Sequence, residues 1–254
     1  MGARYLTDLA DVCRSSGYPV IEVDDWVNRA RGSGGYDPGY PNHVIVHHTA
    51  SGPGSDGWPD VNYCCYGNPD SPVGNLYLAR TGDIYVMAAG AANTNGTGAD
   101  PCHLVPDDGM NSRSLAIEAG NGGTGEPWPD IQQAAYVALC RVLCDAYGIG
   151  NGQIHSHAEW APSRKIDPAG QSAYATGAAI WDMDAFRADV AHTEEDDPVT
   201  DEDIARIAAA VWAHALDGNR VGYPNASADI FLVDCRQDAA AAKDNSRALL
   251  DEDT

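Results

Sequence analysis

Apolar and polar positions change their period several times along the chain, and each change predicts a new element. Residues 4–16 carry Leu6, Leu9, Ala10 and Cys13 at helical spacing, a short amphipathic helix stopped by Gly17 and Pro19. VIEVDDWV follows as a lead-in whose Trp26 is expected to pack on a sheet, and residues 31–42 are loop by composition. HVIVHHTA, residues 43–50, is a continuous apolar run closed by two histidines, which predicts a buried core strand. Residues 51–72 are rich in Gly, Pro, Asp and Ser and predict a long loop, with Tyr63 and Tyr66 on the rim of a cleft. Residues 74–90 predict two strands around a turn at Thr81 to Asp83.

The second half continues the alternation. SLAIEAGN, residues 114–121, is a short strand interrupted by an acid. Residues 127–150 predict the clearest helix, with Pro129 near its start, an apolar stripe through Ile131, Ala135, Leu139 and Val142, and a glycine stop. QIHSHAEW predicts a further strand, and residues 181–190 a helix that closes the domain. Alternating strand and helix signals place residues 1–192 in one α/β domain, a sheet flanked by helices. Residues 193–199 are an acidic linker. From Thr200 as N-cap, a separate helix follows with Ile204, Ile207, Ala208, Val211, Trp212 and Ala215 on one stripe, within a small helical appendage over residues 200–254. So apolar a face needs a partner: the preceding domain, a second copy of the chain, or another molecule.

Charge narrows the partners. The chain has 37 acidic and 15 basic residues, a formal net charge of −22, which argues against nucleic acid or an anionic membrane surface as an electrostatically held partner. No stretch approaches the ~20 apolar residues of a membrane span. The start, MGARYLTDLADVC, lacks a basic segment followed by an apolar run, so a soluble protein held in the cytoplasm until released is expected. Seven cysteines without a regular framework suggest reduced thiols, and Cys140 and Cys144, four apart on a helix, are expected as core thiols before a metal pair.

Candidate chemistry concentrates in HAEWAPSRKIDP, residues 157–168. His157 stands ten positions before Asp167, with Lys165 between them. A histidine and a carboxylate on a proline-punctuated loop supply two of the three protein ligands that a catalytic zinc takes, and the third is sought at the end of the 43–50 strand. Side chains alternate across a strand, so only one of His47 and His48 can face such a metal. His155, two residues before His157, competes with it. Glu118 lies in an apolar strand, where a carboxylate is costly unless paired or functional, so it is either a site residue or half of an ion pair. His103 is expected as an exposed loop residue.

The ordered motifs VIVHHTA, SLAIEAGN and HAEWAPSRKIDP together resemble the zinc-dependent N-acetylmuramoyl-L-alanine amidases, over roughly residues 20–190. That family includes phage endolysins, bacterial muropeptide amidases and animal peptidoglycan-recognition proteins. The resemblance implies a central mixed twisted sheet, Zn2+ held by His47, His157 and Asp167, Glu118 as general base and Lys165 as the cation that stabilises an oxyanion. Its substrate would be peptidoglycan, cut between the lactyl group of N-acetylmuramic acid and L-alanine. Where the family's hairpin often turns a tyrosine to the metal, this chain has Gly74, and Asn75 beside it is expected, with Trp160, to touch substrate. A phage endolysin kept in the host cytoplasm until it reaches the wall is the leading expectation, with self-association or wall targeting through residues 200–254. A cytosolic muropeptide-recycling amidase is second, and a recognition protein that binds without cutting is third.

Overall fold

The computed structural model describes residues 4–192. Within them, 11 named elements alternate in chain order: α1 (Leu9–Arg14), β1 (Val20–Glu22), β2 (His43–His48), α2 (Trp58–Asn62), β3 (Leu76–Leu78), β4 (Ile84–Val86), β5 (Ser114–Ala119), α3 (Asp130–Tyr147), β6 (Ile154–Ser156), α4 (His157–Trp160) and α5 (Met183–Ala191). The strands form one mixed sheet in the order β1-β4-β3-β5-β2-β6. Only β3 and β4 pair antiparallel, as the hairpin about Gly82 requires, and the other neighbours are parallel. The expected α/β class and mixed sheet are both present. The linker and the C-terminal helix expected from the sequence lie outside the described residues.

Strand periodicity divides the sheet into two unlike faces. Val44 and Val46 of β2, Leu115 and Ile117 of β5, and Leu76 and Leu78 of β3 join Tyr136, Leu139 and Leu143 of α3 in the main core. Register puts His43, Ile45 and His47 on the opposite face, beside Ser114, Ala116 and Glu118 of β5. That second face therefore carries nearly all the sheet's chemistry. It is covered by smaller apolar clusters, one about Tyr77, Tyr85 and Cys64, another about Ile45, Met110 and Trp160.

Several boundaries differ from the sequence reading, each for a local reason. The first helix is six residues long and starts after Asp8. The 51–72 segment is not a plain loop but contains α2 and a π-helical turn, Tyr63–Gly67, which buries Val61, Cys64 and Cys65. Helix α3 ends where Gly148 takes a left-handed φ of 68°, as expected of a glycine stop. Its inner stripe, however, runs through Gln132, Ala135, Tyr136, Leu139, Cys140 and Leu143, and Ile131 is 49% exposed. The apolar pattern was misread there because Gln132 is buried to donate to the Leu78 and Gly120 carbonyls. Strand β6 stops at Ser156, not Trp160. The Ser156 hydroxyl accepts from Glu159 N while the Glu159 carboxylate accepts from Ser156 N, and this reciprocal cap starts α4.

Candidate metal centre and active site

Three side chains from three places in the sequence converge at one end of the sheet. His47 comes from the penultimate position of β2, His157 from the first turn of α4, and Asp167 from the loop beyond it. His47 Nδ1 lies 2.9 Å from His157 Nδ1 and 3.0 Å from Asp167 Oδ2, and His157 Nδ1 lies 3.0 Å from the same oxygen. All three residues are buried.

The donor set fits a divalent cation. His157 donates its Nε2–H to the Asn95 carbonyl at 2.9 Å, so the neutral ring turns a bare Nδ1 toward the other two atoms. Two imidazole nitrogens and a carboxylate oxygen this close are mutually satisfied only with a cation or proton among them. Ligands 2.0–2.1 Å from a tetrahedral zinc stand about 3.3 Å apart, close to the spacing seen. Burial, with the neighbouring His157 ring, pushes the His47 pKa down to about 4, leaving it neutral as a ligand must be. Burial would raise the Asp167 pKa, but the His157 and His47 imidazoles beside its carboxylate prevail and hold it well below the carboxylate range.

Each ligand is positioned by its own fold element. Tyr136, reaching across from α3, accepts from His47 N at 2.9 Å, and its hydroxyl lies 3.1 Å from the His47 and Ile117 carbonyls. It thereby ties β2 to β5 at the site. Ala158 N donates to the Asp167 carbonyl, and Ala169 N donates to His48 Nδ1 at 3.1 Å, so both ends of the Asp167 turn are held. His48 thus serves the loop from the opposite face of the strand, and His47 alone of the pair faces the cluster. Arg164 donates to the carbonyls of Asn95 and Thr97, fastening the loop that carries the His157 partner.

Glu118 is the register partner of His47 on the next strand, about 4.8 Å away along the ladder. Among the described residues it has neither a hydrogen bond nor an ion pair, so the ion-pair alternative finds no partner there. Burial, then the Asp167 carboxylate, pushes its pKa up to about 8, opposed by Lys165 and reinforced by Asp60. Lys165, half-buried, also bears electrostatically on His47 and His48. A Cβ on Gly74 would come within 3.2 Å of Glu118 Cγ and 3.1 Å of Met87 Cε, so the missing side chain leaves room for the Glu118 carboxyl.

Two expected substrate contacts are corrected. Asn75 is fully buried: its amide nitrogen donates to the Ala88 and Gly90 carbonyls, and its oxygen accepts from Ala116 N. It pins the hairpin to β5. Trp160 is also fully buried, within the cluster about Ile45 and Met110. His155 turns away from the triad toward Asp100, 3.4 Å off, and His103 is exposed as expected. Tyr63 and Tyr66 are 56% and 61% exposed, and Tyr66 lies under the Arg29 guanidinium. Sequence reasoning missed Tyr136, Asn95 and Ser156; only the S-H-A-E capping pattern at Ser156 was visible in advance.

The sequence profile described as N-acetylmuramoyl-L-alanine amidase matches residues 37–170, a span that contains His47, Glu118, His157, Lys165 and Asp167. No curated protein matches the chain. Among solved structures, a selenomethionine derivative of AmpD is 22% identical, covering 67% of this chain and 93% of its own, with a TM-score of 0.48. The endolysin N-acetylmuramoyl-L-alanine amidase LysCS from Clostridium intestinale URNW is 16% identical, covering 68% and 96%, with a TM-score of 0.43. Drosophila PGRP-LB is 17% identical, covering 57% and 86%, with a TM-score of 0.42.

Proposed function

Since the chain belongs to the N-acetylmuramoyl-L-alanine amidase family, we propose that it is a zinc hydrolase that cuts the amide between N-acetylmuramic acid and L-alanine in peptidoglycan. The observation that carries this reading is the convergence of His47, His157 and Asp167 within about 3 Å, with Glu118 beside them on the same sheet face. Zinc held by these donors would supply Lewis acidity and lower the pKa of a water to near neutrality. Glu118 takes the proton of the attacking water and returns it to the leaving amine. Burial raises the Glu118 pKa in the metal-free site, and a cation held by the triad would draw it back toward the ionised form that a base needs. Lys165 offers its ammonium to the oxyanion that develops on the carbonyl. Asn95 and Tyr136 keep the two imidazoles in place throughout.

Within this activity the reading is an endolysin, made in a host cytoplasm and acting on the intact wall after release. It is supported by the sequence over residues 200–254, whose apolar residues recur at helical spacing and are unnecessary for cutting a small soluble fragment. Metal content and peptide release, measured together on the full chain, test both levels. About one zinc at the triad, with chelator-sensitive release of L-alanine-terminated peptides from purified sacculi, is the expected result. Release from soluble muropeptides alone would replace the endolysin by a recycling amidase, and binding without release would leave a recognition protein.

A further inference from the structure

A second cluster on the same sheet face has the chemistry of a metal site and plays no part in the amidase triad. His43 opens β2, His155 is the middle residue of β6, and Asp100 and Cys102 lie in the loop between β4 and β5. His43 Nε2 is 3.4 Å from Asp100 Oδ2, and His155 Nε2 is 3.4 Å from Asp100 Oδ1 and 3.6 Å from Cys102 Sγ. The two nitrogen-to-oxygen separations are long for hydrogen bonds. They match the edge of a zinc tetrahedron, about 3.3 Å between ligating nitrogen and oxygen.

The protonation pattern points the same way. His43 Nδ1 lies 2.7 Å from Asn42 Oδ1 and donates to it, which leaves Nε2 bare, buried and without a hydrogen-bond partner, facing a carboxylate. His155 turns Nε2 toward Asp100 Oδ1, and its Nδ1 is buried without a hydrogen-bond partner. Asp100 is 2% exposed, and its oxygens already accept from the backbone N–H of Cys102, Leu104 and Val105, so the ionised carboxylate is built in. No lysine or arginine forms an ion pair with it among the described residues. Ile45, Met110 and Trp160 fill the sheet face beside the cluster, and Ile45 stands between His43 and His47 along β2.

We propose that His43, Asp100 and His155 form a second divalent-metal site, suited to zinc, that clamps the loop around residues 95–105 onto β2 and β6. Two imidazoles and a carboxylate favour a borderline-soft ion over magnesium or calcium. The same loop carries Asn95, whose carbonyl orients His157, so the clamp also steadies a ligand of the first site. The inference stands independently of the amidase reading, because none of its three residues belongs to the triad.

Full-length protein is equilibrated with zinc, freed of excess and analysed for metal, with circular dichroism checking that each variant keeps the wild-type fold. Two metals per chain are expected in wild type. His43→Gln lowers the zinc content by one equivalent, and Asp100→Asn does the same. His157→Ala loses the other equivalent and keeps the one held by His43, so failure of the triad and failure of this site are told apart. One zinc per wild-type chain, or an unchanged zinc content in folded His43→Gln, overturns the proposal.

Discussion

Glu118 on β5 and Gly74, two residues before β3, meet beside the triad, the glycine leaving the space that the carboxyl occupies. Glu118→Gln keeps the volume and the triad but removes the base, so metal content should stay unchanged while kcat/KM falls about 10²–10⁴-fold. Gly74→Ala should lower kcat with less effect on metal, because the added methyl meets Glu118 Cγ at 3.2 Å. Steady-state kinetics beside elemental analysis checks both. The Glu118 pKa also predicts a pH effect in the metal-free protein. Its folded value of about 8 exceeds the ordinary 4.5, so the fold favours the neutral acid. That contribution to stability is complete below pH 4.5 and is lost as pH rises through 8. Urea unfolding of the chelated protein should therefore show wild type losing stability relative to Glu118→Gln between pH 5 and 9. Parallel curves would dismiss the assigned shift.

Helix α4 and helix α3 act at the next scale, each placing a ligand through a bond remote from the metal. Ser156→Ala removes the reciprocal cap of α4. A loss of about 1 kcal/mol is expected from the cap alone, together with weaker zinc binding, because His157 occupies the first position of that helix. Chemical denaturation and competition with a chromophoric chelator measure the two effects separately. Tyr136→Phe leaves His47 N without its acceptor at the β2 to β5 junction. An unsatisfied buried donor costs about 1–3 kcal/mol, and the denaturation midpoint should fall accordingly. The sequence displayed these helices unequally. Gly148 marked the end of α3, whereas nothing in the helix pattern singled out Tyr136, since its role depends on a strand 89 residues away in sequence.

For the whole molecule, the acidic balance and the appendage set the remaining expectation. Deleting residues 194–254 should preserve cleavage of soluble muramyl peptides while reducing wall binding or solution mass, read by co-sedimentation with sacculi and by light scattering. An unchanged mass and unchanged wall binding would leave the appendage without either proposed role. Across the described residues, the strand and helix alternation and the position of β2 were legible in the sequence, because period and burial preference are properties of short segments; His47, Glu118, His157, Lys165 and Asp167 were singled out with the help of the motif resemblance, and the structure brings His47, His157 and Asp167 together. The choice of His47 over His48 needed only the alternation of a strand once a facing partner was known. Other decisions belonged to the tertiary structure alone: that Asn75 and Trp160 are buried, that Asn95 holds His157, and that His43 and His155 meet Asp100. Each depends on which segments the sheet order brings side by side, and a contact between distant segments leaves no period in either one.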